Sequence, residues 1–245
     1  MLSKSQVKYI QSLGHKKFRD ADGVFVAEGP KIVQELLHSD HVELVNCFAT
    51  PDWLESRRDK YADKLFTEVD EQDLQKISFH PSPKQVLAVF RKPVFQREKE
   101  GSRVCLMLET IQDPGNMGTI IRTADWFGVQ MVICSPDSAD VFSPKVVQAA
   151  MGSISRVEVC YAELTAYIER HPDLPLYAAS LDGEPLNGNE QISEGILLFG
   201  NESRGLSPAL EELAVRKWRI PGRGGAESLN VAVAAGIFLS RVSRA

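Results

Sequence analysis

Across residues 25–220 the chain keeps alternating between short apolar runs and longer stretches whose apolar residues recur at helical spacing. Runs such as 86–90, 104–108 and 196–199 are short and bounded by turn-forming residues, so they read as buried strands. Between such runs stand helical stripes: Ile32, Val33, Leu36 and Leu37, then Ile120, Ile121, Ala124 and Phe127, then Leu210 with Leu213. Strand and helix taking turns specifies an α/β architecture. With 245 residues there is room for one large domain or two modest ones.

The alternation changes character part-way. In the first ninety or so residues strands are expected at 25–27, 44–49, 65–69 and 86–90, with helices at 3–13, through Ile32–Leu37, at 52–60 and at 71–77. Ser3 is placed to cap the first helix. Residues 91–103 lack apolar periodicity and hold five basic and two acidic side chains, which marks a linker with a positive excess. The division expected is 1–91 as one domain, 92–102 as linker and 103–245 as a second domain. His15, Lys16, Lys17 and Arg19 form a basic cluster that could contact phosphates, although a solvated charged turn is the commoner meaning of such a run.

Charge and cysteine usage narrow the function classes. The formal net charge is -5, so nucleic-acid binding would rest on local patches, without a global basic field. Cys47, Cys105, Cys134 and Cys160 stand far apart and histidines are few. They read as buried thiols of a reducing compartment, with neither a disulfide framework nor a metal site. No signal-like leader and no long apolar run is seen, which points to a soluble, cytoplasmic protein without a membrane partner.

From Val104 on, the unusual residues gather in three loops that follow strands. In the first, Asp113-Pro114-Gly115 forces a turn and Asn116 stands where a helix begins, with Arg122 further along it. The other reading of Arg122 is a surface ion pair with Asp125 or another acid. In the second, Gly200 either lets the chain turn sharply or lets a ligand touch the backbone, and Asn201, Glu202, Ser203 and Arg204 follow. In the third, Pro221, Gly222, Gly224 and Gly225 break regular structure before a helical pattern from Ser228 to Arg244, with Ser228 as candidate N-cap. Small residues in its first turns (Ala232, Ala234, Ala235, Gly236) allow close approach of another backbone. In an α/β sheet, ligands gather at the carboxyl ends of the strands, where these loops lie. The glycine pattern of a dinucleotide fold, a Walker A lysine and a G-x-S-x-G elbow are all absent from the sequence.

DPGNMGTIIRTADWFG, LLFGNESRGLS and IPGRGGAESLNVAVA, in that order, resemble the three motifs of the TrmH/SpoU branch of the SPOUT RNA methyltransferases. KYIQSL, KKFR and GVFVAEGPKIVQELL are similar to the accessory RNA-binding domain of that family. The resemblance implies a C-terminal domain with a deep trefoil knot, a smaller N-terminal α/β domain resembling a ribosomal protein, and S-adenosyl-L-methionine (AdoMet) as methyl donor. It also implies an RNA substrate, rRNA or tRNA, methylated on a ribose 2'-hydroxyl, and a homodimer. By position, the catalytic set is Arg122, Asn116, Glu202, Ser228 and Asn230. The cofactor would be held by Gly200, Ile220 and Leu229 with Leu198, Asn201 and Ser228, and RNA by Lys16, Lys17 and Arg19; no metal is implied. Gly222 departs from the family, which commonly has Met there. Two alternatives stay open at this level: methylation of an RNA base, and a non-catalytic RNA-binding protein with a vestigial AdoMet site.

Overall fold

A four-stranded sheet and a six-stranded sheet organise the chain in a computed structural model, which describes residues 2–56, 65–95, 103–187 and 192–242. The expected helix at 52–60 and the expected linker therefore lie partly outside the described residues. The chain divides into two units, residues 1–96 with 140–155, and residues 97–139 with 156–245.

In the first unit, α1 (Lys4–Ser12) opens with a capping box in which Ser3 accepts from the Gln6 amide and the Gln6 side chain accepts from the Ser3 amide. There follow α2 (Lys16–Asp22), β1 (Val24–Glu28), α3 (Pro30–Leu37), β2 (Leu44–Ala49), α4 (Pro51–Glu55), β3 (Phe66–Glu68), α5 (Glu71–Ile77) and β4 (Val86–Arg91). The strand order is β1-β4-β2-β3, antiparallel except for the β2–β3 pair. Strand β1 is buried along its whole length because both faces are covered. Val24 and Val26 face a core with Ile10, Leu13, Leu74 and Ile77. Phe25 faces the other way, its ring 5.4 Å from that of Phe142.

Phe142 belongs to the segment 140–155, which the sequence reading placed in the C-terminal domain but which packs within the first unit. It carries α7 (Pro144–Ala150) and a 3-10 turn, Met151–Ser155. The buried Arg19 guanidinium pairs with Asp140 and donates to the Leu13 carbonyl at 2.6 Å. Glu35 accepts from the Gly152 amide at 3.0 Å, and His80 bonds Gln148 at 3.1 Å. Sequence periodicity carries no information about such long-range partners.

The second unit holds β5 (Arg103–Leu108), α6 (Pro114–Trp126), β6 (Met131–Cys134), β7 (Glu158–Tyr161), α8 (Leu164–Glu169), β8 (Leu176–Pro185), β9 (Glu194–Phe199), α9 (Pro208–Glu212), β10 (Arg216–Arg219) and α10 (Val231–Val242). All its strand pairs are parallel, in the order β10-β8-β9-β5-β6-β7. Leu198 and Ile196 face α8 and α9, while Phe199 on the opposite face meets Phe238 of α10 edge-on at 5.6 Å. The chain runs from β5 through β6 to β7 and returns by β8 to β9, so strand order reverses between β5 and β9. In a parallel sheet the crevice outside the strand ends at such a reversal is where ligands bind.

Candidate functional site

The loops after β5 and β9 leave the sheet at that reversal, and the loop after β10 meets them there. Pro114 stands at the first helical position of α6 and Asp113 caps it, accepting from the Asn116 amide at 2.8 Å. This fixes Asn116 in the first turn with its side-chain amide free for other partners. Its Nδ2 donates to Glu202 Oε1 at 2.8 Å, and its Oδ1 accepts from Asn230 Nδ2 at 2.8 Å. One polar chain, Glu202–Asn116–Asn230, thus joins all three loops.

Asn230 also caps α10, since its Oδ1 accepts from the amides of Ala232 and Val233 at 3.0 and 3.3 Å. The cap is therefore Asn230 where Ser228 was expected, and the helix begins at Val231. The Pro/Gly loop simply runs further than the pattern implied, and Ser228 lies exposed within it. Helix α10 packs on α6, yet a Cβ on Gly236 would be an ordinary 3.7 Å from Thr123, so that glycine is not forced by close approach.

The second loop is folded tightly onto itself. Asn201 and Gly205 exchange backbone hydrogen bonds at 3.0 and 2.9 Å, and Gly205 takes φ +69°. A Cβ on Gly200 would lie 2.2 Å from the Gly205 carbonyl carbon, so the sharp-turn reading of Gly200 holds. The Asn201 side chain is used up within the protein: Nδ2 donates to the Thr110 carbonyl at 2.9 Å, and Oδ1 accepts from the amides of Ser203 and Arg204. Any contribution of Asn201 to a cofactor falls to its backbone. Leu198 is fully buried in β9 and has likewise only backbone to offer.

Arg122 is exposed on α6 and makes no hydrogen bond or ion pair among the described residues. The ion pair with Asp125 does not form, because Asp125 is taken by the forked guanidinium of Arg156 at 2.9 and 2.7 Å. Lys16 pairs with Asp20 on α2 at 2.7 Å, while Lys17 is exposed with its ammonium 4.7 Å from the Phe18 ring centre. Arg19, expected as an RNA contact, is 2% exposed and serves the interior of the first unit.

Sequence reasoning missed the residues that brace the first loop. Thr110 has φ +57°, a costly backbone for a β-branched residue, of order 1–3 kcal/mol. Its amide donates to Ser135 Oγ at 2.7 Å and its hydroxyl to Asp137 Oδ2 at 2.9 Å. Glu109 accepts from the Ser207 amide at 2.7 Å. The run Ser135-Pro136-Asp137-Ser138 carries turn-capping side chains, the one local signal that could have drawn attention to it. The Ser135 hydroxyl holds the Asp137 carboxyl below its ordinary range, helped by Thr110 and the charge of Arg204.

Three of the four cysteines offer no nucleophile. Burial pushes Cys47 up to about 12 and Cys105 up to about 11, and raises Cys134 as well, so these stay thiols. Among the described residues no group of His, Cys, Asp or Glu could hold a metal ion, and no helix is long and apolar enough to cross a membrane.

Residues 103–240 match the SpoU rRNA Methylase family, and residues 4–88 match the MRM3-like substrate binding domain. The chain belongs to the SpoU rRNA methylase family. A Bacillus subtilis relative, 23S rRNA (guanosine(2553)-2'-O)-methyltransferase RlmP, is 32% identical over 96% of this chain and 94% of its own. A Porphyromonas gingivalis protein of the TrmH family of RNA methyltransferases has a solved structure with TM-score 0.83 and 38% identity, covering 98% of both chains. An AdoMet-bound rRNA methyltransferase from Sinorhizobium meliloti superposes with TM-score 0.83 at 30% identity, over 98% of this chain and 94% of that one.

The SpoU cofactor is AdoMet, and the third loop suits it. Residues 221–230 are exposed throughout, and between Ile220 and Leu229 the backbone makes no hydrogen bond among the described residues. Such unengaged N–H and C=O groups fit a ligand held by main chain, and Leu229, 47% exposed, offers an apolar surface beside them.

Proposed function

We infer that this chain is an AdoMet-dependent RNA methyltransferase that modifies a ribose 2'-hydroxyl, with ribosomal RNA of the large subunit as its substrate. The observation that carries the reading is the Glu202–Asn116–Asn230 chain at the sheet reversal, with Arg122, unpaired among the described residues, on the same helix as Asn116. The preference for large-subunit RNA draws on the RlmP relative, which matches along nearly the whole chain.

Bound AdoMet supplies a methyl group that is already electrophilic. What remains for the protein is placement of the ribose oxygen in line with it and an easier departure of the hydroxyl proton. Arg122 presents a planar fork of N–H donors, so it serves as a clamp on a substrate phosphate and lowers the hydroxyl's pKa by its charge. Glu202 and Asn230 hold the Asn116 amide between them, which sets the orientation of a polar group facing the substrate. The backbone of Gly200, Ile220 and Leu229 would hold the cofactor, and Lys17 is the member of the basic cluster best placed for RNA.

The same reading includes threading of α10 in a trefoil knot, a cytoplasmic location and a homodimer. Large apolar side chains left open on α6 and α10 support the dimer: Trp126 is 84% and Val233 51% exposed. The decisive test maps 2'-O-methyl positions in large-subunit rRNA and in tRNA with and without the gene. Loss of one rRNA position is expected. An unchanged map in both pools would overturn the reading, and a lost base methyl would transfer the activity from ribose to base.

A further inference from the structure

Thr110 lies two residues beyond the end of β5 in the loop that carries Asn116, and its three polar groups are tied to two other loops. Its carbonyl accepts from Asn201, in the loop that carries Glu202, at 2.9 Å. Its amide reaches Ser135 at 2.7 Å and its hydroxyl reaches Asp137 at 2.9 Å, both in the loop after β6. Ser135 in turn donates to the other Asp137 oxygen at 2.6 Å. Both carboxylate oxygens of Asp137 thereby accept a hydroxyl, one of them from Thr110, which is at φ +57°. A β-branched residue keeps that backbone only when its surroundings over-determine it, and such positions cluster where geometry matters to function.

We propose that Asp137 is a positioning residue for methyl transfer, which through Thr110 fixes the spacing of Asn116 and Glu202. Asp137 is not part of the Glu202–Asn116–Asn230 chain, and it lies outside the loops expected to hold the cofactor. Its effect travels by a short covalent and hydrogen-bonded path: Asp137 to Thr110, then along the backbone to Asn116, and by the Thr110 carbonyl to Asn201 beside Glu202. Exchanging the carboxylate for an amide leaves one acceptor oxygen where two are used, so the bonds from Thr110 and Ser135 cannot both be kept, the first loop relaxes and the two site residues separate. This rests on the methyltransferase reading given above.

The test compares D137N, T110V and the double variant with the wild type. T110V keeps the β-branch and loses the hydroxyl, whereas T110S keeps the hydroxyl and serves as the conservative rescue. Methyl transfer to total ribosomal RNA from cells lacking the gene, AdoMet affinity by calorimetry, and amide exchange over residues 110–118 are measured on the full chain. In D137N and T110V we expect kcat to fall about tenfold, AdoMet affinity to change less than about twofold, and exchange over 110–118 to rise. T110S should retain activity, and the double variant should be no worse than either single one, since all act on one contact. Unchanged kcat in D137N, additive losses in the double variant, or parallel loss of AdoMet affinity and folding would each overturn the proposal. A wild-type protein inactive on this RNA would instead sink the methyltransferase reading, and the proposal with it.

Discussion

Asn230 uses its two amide atoms for different purposes, which lets stability and chemistry be separated at one position. The oxygen caps α10 and the nitrogen holds Asn116. Asn230→Asp keeps a good cap but loses the donor, so stability should hold to within about 0.5 kcal/mol while activity falls; Asn230→Ala should cost about 1 kcal/mol besides. Urea unfolding and methyl transfer measured side by side would show this, and equal activity in Asp and wild type would remove Asn230 from the site. For Arg122 the expected outcome of a Lys substitution is a drop of at least about tenfold in kcat/KM with folding unchanged, because a point charge replaces a planar fork. Full activity in that variant would rule out the clamp. Asp137 brings a pH signature. Its carboxyl sits below its ordinary 3.8 through Ser135, Thr110 and Arg204, so its stabilisation is present above that value and is lost as pH falls through the lower folded value. The stability gap between wild type and D137N should therefore be full near pH 7 and close in acid; a gap of constant size would refute this.

At the level of elements, the alternating pattern made nearly every strand and helix legible, because burial on both faces of a sheet writes continuous apolar runs into the sequence. The ends were less legible. Helix α6 begins at Pro114 and α10 at Val231, each set by a single side-chain cap whose choice among neighbouring candidates depends on what else that side chain meets. The three site loops stood out through Gly, Pro and Asn, whereas Thr110 and Asp137 did not, since nothing in a threonine announces a left-handed backbone. The segment 140–155 meets Phe25, Glu35 and His80, all distant from it in sequence, so the local pattern does not say which unit it packs with. Its anchoring pair gives a sharp expectation. Asp140→Ala leaves the buried Arg19 charge uncompensated and should cost about 3 kcal/mol, read as a lower urea midpoint. A loss below roughly 1 kcal/mol would show that Leu13 and solvent suffice.

For the whole molecule, the exposed Trp126 gives the assembly its test. Trp126→Glu should convert a dimer into a monomer in sedimentation, and a wild type that sediments as a monomer would dispose of the dimer altogether. The connectivity of the two units has a further consequence. The chain passes between them at 96–97, at 139–140 and at 155–156, so the N-terminal unit is assembled from two separate stretches of sequence. In this structure that unit is therefore not one continuous stretch of sequence. A splice at the linker alone would leave 140–155 behind, still shaped for Phe25 and Arg19. A recombinant that exchanges residues 1–96 alone is expected to be less stable than one that also carries 140–155, as urea unfolding of the two would show.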